Sequence, residues 1–171
     1  LLTQMLGDKM YLANATGCTQ AWGAAMPCVP YCKNQEGKGV AWSNSLFENN
    51  AEFSYGMCLA VKQLRDCVTG YVKELDALTK DEAVKAAIAK YLETYDDLDA
   101  STPTTAALVA VLENSKFSAD EQKLVDEILK RKKDLSKKTM WMYGIDCWAY
   151  DIGYGGLDHV FAMGEDVNVL L

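Results

Sequence analysis

The apolar residues of this chain repeat with two different periods. In the middle of the chain, from about residue 52 to residue 138, they recur every three or four positions, which predicts amphipathic helices. The first of these helices carries the apolar series Phe53, Met57, Val61, Leu64, Val68 and Val72. Before and after this segment, short apolar runs alternate with Gly, Asn and Pro, which is typical of strands and turns. The pattern therefore predicts an α/β protein with a helical segment inside it.

Capping residues divide the middle segment into four helices. Thr79 and Ser118 each precede a glutamate by three positions, and this spacing predicts a capping box at the start of the second and fourth helices. The Thr102-Pro103 pair predicts the start of the third helix, with proline at its first position. We interpret the basic run at 130–133 as a solvated helix end, and a binding role for it is the less favoured alternative.

Short strands are predicted on both sides of these helices. One runs over 10–13 and leads into a turn at 14–18, and two others run over 139–145 and 167–171. The last two bracket a glycine-rich turn and a short helix, which we expect to start near its predicted N-cap, Asp158. Two strands joined through a helix predict a βαβ unit, and therefore a parallel sheet.

Composition and charge argue against two classes of partner. The chain has 171 residues and a formal net charge of −7, whereas binding to nucleic acid requires a basic face. No apolar run approaches the roughly 20 residues that a membrane-spanning helix needs. The chain begins at Leu1 without a methionine and stops inside an apolar run, so we expect it to be an excerpt of a longer protein.

Asp146 is the first candidate for a functional residue. It follows the predicted third strand and precedes a glycine cluster at 153–156. In open α/β sheets, anionic ligands bind beyond the carboxyl ends of the strands, where backbone N–H groups are free. A carboxylate at that place can hold a Mg²⁺ ion that bridges to a phosphate. We therefore predict a site for a phosphorylated cofactor, with Asp146 as a buried acid within it.

Three sequence blocks resemble one family of enzymes. They are Ala-Asn-Ala-Thr-Gly-Cys at 13–18, followed by Trp22-Gly23, then residues 41–52, and finally Trp-Ala-Tyr-Asp-Ile-Gly-Tyr-Gly-Gly-Leu-Asp-His-Val at 148–160. These blocks resemble the pyruvate:ferredoxin oxidoreductases, in the C-terminal domain that binds thiamine diphosphate. The resemblance spans nearly the whole chain and is weakest in the charged middle helices.

The resemblance implies a fold, an activity and a set of partners. The fold is the thiamine-diphosphate-binding fold, a parallel sheet flanked by helices. Here it would be a partial domain over 1–171, truncated at both ends, with a charged helical insertion at about 52–138. The implied activity is the oxidation of pyruvate with coenzyme A to acetyl-CoA and CO₂, with ferredoxin or flavodoxin as the electron acceptor. The implied cofactors are thiamine diphosphate, Mg²⁺ and 4Fe-4S clusters.

The same resemblance implies a larger assembly. The excerpt alone is expected to be inactive, because groups that activate the cofactor and hold pyruvate belong to the remaining domains of the same chain. We also expect a homodimer that is not secreted, located in the cytoplasm or in a hydrogenosome-like organelle.

Individual residues are assigned by the resemblance as well. Cys18 matches a ligand of the 4Fe-4S cluster nearest the thiamine, and Asp146 matches the acid that binds the Mg²⁺ of the cofactor. The other ligands of both groups are expected outside this chain. Ile145, Cys147 and Trp148 fall in the same cofactor-binding stretch. The family carries glycine on both sides of the aspartate, so Ile145 and Cys147 depart from its pattern and restrict close approach of the backbone to a diphosphate.

Several other polar residues are interpreted as structural. Cys28 and Cys32 lack the histidine or second cysteine pair that a zinc site needs, and we expect them to pack without forming a disulfide. His159, the single histidine, is assigned no catalytic role. Glu48 and Glu52 are expected to order a loop and a helix start. A general-acid pair would need two unequal environments.

Two other functions stay open at this point. One is a pyruvate:NADP oxidoreductase fusion, which keeps the same thiamine domain. The other is a non-catalytic paralogue that has lost thiamine diphosphate binding and serves in assembly, and Ile145 and Cys147 are the residues that favour it.

Overall fold

The computed structural model describes residues 1–23 and 31–171, and for Trp22 and Gly23 it describes the backbone only. Cys28, which we interpreted as a packing residue, lies outside the described residues, and the same interpretation of Cys32 is wrong because Cys32 is exposed. The chain divides into two compact units. The first unit consists of Leu1–Leu59 and Lys138–Leu171, and the second consists of Ala60–Lys137.

The first unit is built on a four-stranded parallel sheet. Its strands are β1 (Met10–Asn14), β2 (Ala41–Asn44), β3 (Thr139–Tyr143) and β4 (Val167–Leu170), in the spatial order β2-β1-β3-β4. Every neighbouring pair is parallel. The prediction of an α/β fold with a parallel sheet flanked by helices is therefore confirmed. The third strand ends two residues earlier than predicted.

Short helices follow the strands of the first unit. The chain starts with α1 (Leu2–Leu6) and a 3₁₀ turn at Gly7–Lys9, and α2 (Cys18–Gly23) follows β1. After β3 come a π-helix at Cys147–Ile152 and α7 (Tyr154–Met163), which leads into β4. The β3–α7–β4 segment is the predicted βαβ unit.

The start of α7 was predicted wrongly. The helix begins at Tyr154, four residues before Asp158, and Gly153 occupies the N-cap position. Asp158 therefore lies inside the helix and is exposed. The reason is that the chain turns directly from the π-helix into α7, and the Leu157 N–H already donates to the Gly153 carbonyl at 3.0 Å. The glycines that we read as a turn form the first turn of this helix.

Apolar side chains between the sheet and its helices form the core of the first unit. Its buried members are Ala15, Ala51, Met142, Trp148, Ala149, Leu157 and Val160. Burial of such side chains is the main favourable term in folding, at roughly 25 cal/mol for each Å² removed from water. The core lies directly beneath the loop that follows β3, because Trp148 and Ala149 belong to both.

Helices make up the second unit. They are the part of α3 (Asn50–Leu78) from residue 60 onward, α4 (Glu82–Glu93), α5 (Ser101–Asn114) and α6 (Ala119–Lys130), followed by a 3₁₀ turn at Lys132–Asp134. The buried side chains of its core are Val68, Val72, Leu75, Val84, Ile88, Tyr91, Leu108, Leu112, Val125, Ile128 and Leu135. The basic run at 130–133 lies at the end of α6, as predicted. No helix among the described residues is both long enough and apolar enough to cross a membrane.

Two of the three predicted helix starts need correction. The capping box of α6 is present, with Ser118 and Glu121 bonded to each other. The N-cap of α4 is Asp81, whose carboxylate accepts from the Ala83 N–H at 2.8 Å. Thr79 is not the cap, because α4 begins at Glu82 and the N-cap position directly before it belongs to Asp81.

The third helix start shifts by two residues. Helix α5 begins at Ser101, so Pro103 is its third residue and not its first. Proline is tolerated there because the N–H groups of the first helical turn have no partner within the helix.

Candidate functional site

The carboxyl ends of the strands meet at one edge of the first unit. Hydrogen bonds continue the sheet by one residue there, from the Ala15 N–H to the Tyr143 carbonyl at 2.8 Å and from the Gly144 N–H to the Leu170 carbonyl at 3.1 Å. The loop after β1 carries Cys18, and the loop after β3 carries Asp146. Because β1 and β3 are neighbours in the sheet, the two loops leave the same edge side by side.

A buried asparagine ties the central strands together at this edge. Asn50, the first residue of α3, is fully buried, and its Nδ2 donates to the carbonyls of Ala13 at 3.4 Å and of Tyr143 at 3.2 Å. Its Oδ1 accepts from the Ser54 hydroxyl at 3.0 Å. The start of α3 is thus bonded to both β1 and β3. Sequence reasoning missed this residue, because the predicted helical segment began at about residue 52 and its apolar series began only at Phe53.

A second asparagine, Asn14, joins β1 to the neighbouring strand β2. The Nδ2 of Asn14 donates to the Oδ1 of Asn44 at 2.8 Å, and the Oδ1 of Asn14 accepts from the Trp42 indole N–H. These bonds hold the ends of β1 and β2 in register. The loops that leave them therefore start from a rigid base.

The turn before Cys18 requires a glycine. Gly17 has a φ of +81°, a conformation in which a Cβ would be strained. Cys18 is the first residue of α2 and its side chain is exposed. The next residue, Thr19, is fully buried, and its hydroxyl has no hydrogen-bond partner among the described residues.

Glu48 lies against the same turn. A Cβ built on Gly17 would lie 3.7 Å from the Oε1 of Glu48. Its Oε2 is buried and has no hydrogen-bond partner within the described part of the chain. Leaving a buried polar group without a partner costs about 1–3 kcal/mol. Sequence reasoning gave Glu48 a loop-ordering role, and did not anticipate that one of its oxygens would lack a partner.

Asp146 is exposed, which contradicts the prediction of a buried acid. The strand stops at Tyr143, and Gly144 and Ile145 carry the chain out of the sheet before Asp146. Asp146 has helical backbone angles, φ −48° and ψ −46°, and it precedes the π-helix directly. The physical reason for the exposure is that a lone buried carboxylate needs a partner that offsets its desolvation.

The neighbours of Asp146 differ in burial. Ile145 and Cys147 are half-buried, and Trp148 is fully buried. The Ile145 carbonyl accepts from the N–H groups of Trp148 at 3.1 Å and Ala149 at 3.0 Å. The indole of Trp148 offers no exposed surface to a ligand, so a contact from this residue would come from its backbone. As cofactor contacts, the three residues stay predictions.

His159 lies on α7, and Glu52 lies in the first turn of α3, two residues after Asn50. Both are exposed and line a shallow groove between the start of α3 and helix α7. A Cβ on Gly156 would lie only 2.3 Å from the Glu52 Oε1. Glycine at 156 therefore permits the close approach of α7 to the Glu52 carboxylate.

Two tyrosines of the first unit, Tyr31 and Tyr143, have a raised pKa. Burial raises the pKa of Tyr143, the last residue of β3. Burial, and secondarily the nearby Tyr143, raises the pKa of Tyr31. Both phenols therefore stay neutral at physiological pH.

The described residues do not by themselves form a complete set of metal ligands. No group of three or more His, Cys, Asp or Glu side chains in residues 1–23 and 31–171 is placed to hold a metal ion. The cysteines at 18, 32, 58, 67 and 147 form no disulfide bond with one another. Cys18 and Asp146 lie on neighbouring loops, and each would need ligands from elsewhere to complete a metal site.

Comparison with known proteins identifies the family. No family model matches the chain. It is 48% identical over 174 residues to a pyruvate:ferredoxin oxidoreductase of Moorella thermoacetica and 42% identical over 174 residues to a pyruvate-flavodoxin oxidoreductase of Enterobacter agglomerans. Both matches cover 100% of this chain and 15% of the relative. The chain belongs to the family of pyruvate:ferredoxin oxidoreductases, of which it matches one segment.

The family also includes relatives with a different name. A mitochondrial NADP(+) pyruvate dehydrogenase of Euglena gracilis is 38% identical over 175 residues, which is 100% of this chain and 9% of the relative. The chain thus spans about 15% of the length of the first relatives and less of this one. The resemblance inferred from the three sequence blocks is confirmed, and it includes the charged middle helices.

Proposed function

We propose that the complete protein that carries this chain oxidises pyruvate with coenzyme A to acetyl-CoA and CO₂. Its electrons would pass through 4Fe-4S clusters to ferredoxin or flavodoxin. The observation that carries this proposal is the pairing of Cys18 and Asp146. They lie on loops from neighbouring parallel strands of a chain that is 48% identical along its whole length to a pyruvate:ferredoxin oxidoreductase.

The residues at the carboxyl edge fit a Mg²⁺-bound thiamine diphosphate. Asp146 presents an exposed carboxylate, a ligand type that Mg²⁺ prefers, on a loop beyond a parallel strand. Two buried polar atoms at the same edge, the Thr19 hydroxyl and the Glu48 Oε2, lack partners among the described residues and favour a polar ligand. When bound, thiamine diphosphate supplies the electron sink that decarboxylation requires.

The side chains beside Asp146 shape the approach to this ligand. Ile145 is half-buried, so its branched side chain is partly withdrawn from the surface. Cys147 is half-buried in the same way. Both add a Cβ where the family has glycine, and the loop nevertheless holds Asp146 at the surface. We infer that Asp146 would hold the Mg²⁺ of the cofactor here, and that Mg²⁺ would offset the negative charge of the diphosphate.

Cys18 fits a ligand of an iron–sulfur cluster. Its thiol is free and exposed, directly after a glycine turn, and thiolate is the usual ligand of iron in such clusters. The other ligands would come from parts of the protein outside residues 1–171. The homodimer and the compartment stay predictions.

The electron acceptor distinguishes this proposal from its nearest alternative. NADP(+) pyruvate dehydrogenases match the whole chain at 35% and 38% identity, so the same segment occurs in proteins of that name. A non-catalytic paralogue remains the third reading, based on Ile145 and Cys147.

The complete protein, assayed without oxygen, tests the proposal. We expect reduction of ferredoxin or flavodoxin that requires both pyruvate and coenzyme A. Cys18→Ser should lower the iron content and abolish acceptor reduction, because serine is a poor ligand for the cluster. Cys67→Ser is the matched control, since Cys67 is also an exposed free thiol but lies on α3 in the second unit.

The outcomes separate the three functions. Reduction of NADP⁺ would favour the fused reductase. Wild-type protein without any pyruvate-dependent reduction would contradict the proposed activity and support the paralogue. Unchanged iron content in Cys18→Ser would contradict the assignment of that ligand alone.

A further inference from the structure

The indole of Trp148 is enclosed by two glycines. A Cβ built on Gly144 would lie 2.2 Å from its Cε3, 2.8 Å from its Cδ2 and 3.0 Å from its Cζ3. A Cβ built on Gly153 would lie 2.5 Å from its Cδ1 and its Nε1. Real Cβ atoms do not approach other atoms this closely, so neither position accepts a side chain while the indole stays in place.

These two glycines bracket the loop that carries Asp146. Gly144 is the first residue after β3, and Gly153 is the N-cap of α7. Between them, the Trp148 N–H donates to the Ile145 carbonyl at 3.1 Å, and the Gly153 N–H donates to the Trp148 carbonyl at 2.7 Å. Trp148 is therefore joined to both ends of the loop through its backbone and packed against both ends through its ring.

The packing also anchors the loop to the interior. Trp148 is fully buried in the core of the first unit, next to Met142 and Leu157. A large rigid side chain in a close-packed core cannot shift without disturbing its neighbours. The backbone two residues earlier, at Asp146, is thereby fixed in its helical conformation at the surface.

We propose that Trp148 is the positioning residue for Asp146. This inference rests on the proposed function, because it takes Asp146 as a ligand of the cofactor's Mg²⁺. The indole fills the space under the loop and fixes where the carboxylate stands. Gly144 and Gly153 are then required by the indole, and not by the approach of a diphosphate to the backbone.

The shape of the ring matters here more than its polar atom. The Nε1 of Trp148 is buried and has no hydrogen-bond partner among the described residues. A hydrogen bond therefore does not account for tryptophan at this position, and the contacts with Gly144 and Gly153 do. Replacing the ring should move Asp146 even though Trp148 does not reach the surface.

A double-mutant cycle in the complete protein tests this inference. Gly144→Ala should weaken thiamine diphosphate binding in the presence of Mg²⁺ by about tenfold or more, the range seen when groups that orient a metal ligand are changed. Trp148→Phe removes the Cε3 and Cζ3 atoms, which would lie 2.2 Å and 3.0 Å from the new methyl group, and keeps only a ring carbon near the Cδ2 position at 2.8 Å. Adding it to Gly144→Ala should therefore restore part of the lost affinity, so the two changes should not be additive.

Two further variants sharpen the test. Gly153→Ala should not be rescued by Trp148→Phe, because its Cβ would also lie 2.5 Å from the Trp148 backbone carbonyl, which every residue keeps. Gly155→Ala is the matched control, since a Cβ at 155 meets nothing within 4 Å. It should bind the cofactor like the wild type.

Calorimetric titration with thiamine diphosphate at several Mg²⁺ concentrations gives the readout. In Gly144→Ala, the Mg²⁺ concentration needed for half-maximal binding of thiamine diphosphate should rise. A purely structural defect would instead lower the fraction of protein that can bind and leave the Mg²⁺ dependence unchanged. If Gly144→Ala does not fold, the double variant tests the inference. The positioning role then requires that Gly144→Ala combined with Trp148→Phe regains both folding and Mg²⁺-dependent binding.

The possible failures are distinguishable. Additive effects, or a Mg²⁺ dependence in Gly144→Ala like that of the wild type, would overturn the positioning role while leaving the proposed function intact. A wild type that does not bind thiamine diphosphate would overturn both.

Discussion

Side chains on neighbouring loops give the carboxyl edge of the sheet its chemistry. Cys18 presents a free thiol, Asp146 presents an exposed carboxylate, and Glu48 holds a buried oxygen without a partner among the described residues. Thiolate and carboxylate select different metals, because iron in clusters prefers sulfur and Mg²⁺ prefers oxygen. Under the proposed function, one edge of the sheet would serve an iron–sulfur cluster through Cys18 and a Mg²⁺-bound cofactor through Asp146.

Tyr95 is the residue of the second unit with the largest change in acidity. Burial, followed by the hydrogen bond to Asp66 at 2.7 Å, raises the pKa of its phenol to about 12. The Arg65 guanidinium, which lies 3.7 Å from the centre of the Tyr95 ring, lowers the pKa by a smaller amount. Arg65 is itself buried and donates to the carbonyls of Leu135 and Tyr95.

This raised pKa predicts how the stability of the folded chain depends on pH. Because folding favours the neutral phenol, the stabilisation is fully present below about pH 10 and is lost as the pH rises toward about 12. We expect Tyr95→Phe to flatten the fall in the free energy of unfolding over that range, measured by denaturant titration at a series of pH values. Tyr150→Phe, at an exposed site, is the control. An equally steep fall in Tyr95→Phe and wild type would contradict the assignment.

At the level of helices and strands, the bonds of Asn50 determine how α3 meets the sheet. Its amide donates to one carbonyl of β1 and one carbonyl of β3, so a single side chain joins three elements. Parallel strands connect through long segments of chain, and here the second unit separates β2 from β3 in sequence. The first residue of α3 is thus bonded to two strands that are far apart in sequence.

Loss of this amide should be costly. We expect Asn50→Ala to lower the free energy of unfolding by about 1–3 kcal/mol, because two buried carbonyls lose a donor and a small cavity forms. Denaturant unfolding of the purified protein measures the change. Gln63→Ala is the matched control, since Gln63 is also a side-chain amide on α3 but is exposed. Equal effects of the two substitutions would contradict the role of Asn50.

Over the whole molecule, the sequence predicted the parts of the fold that depend on local pattern. The alternation of strands and helices predicted the parallel sheet, and Ser118 with Glu121 predicted the start of α6 correctly. Thr79 was wrong because Asp81, two residues later, is also a favoured N-cap residue, although no glutamate follows it three positions on. Local pattern cannot choose between two adequate caps.

The candidate site was predictable in position but not in its packing. Asp146 and Cys18 were placed at strand ends by the sequence, and the structure brings their loops to one edge. The exposure of Asp146 and the role of Gly144 depend on Trp148, whose contacts are set by the tertiary fold. A glycine that makes room for a distant atom has the same sequence signal as a glycine in a turn, so sequence alone could not separate them.

The measurement that tests the central claim most directly is the affinity of the complete protein for thiamine diphosphate with and without Mg²⁺. We expect the wild type to bind clearly more tightly with Mg²⁺. Asp146→Asn should lose most of this difference, about tenfold or more, because the amide cannot replace a charged ligand. Asp158→Asn, at an exposed site on α7, should behave like the wild type. Equal affinity with and without Mg²⁺ in the wild type, or an unchanged Mg²⁺ effect in Asp146→Asn, would contradict the account.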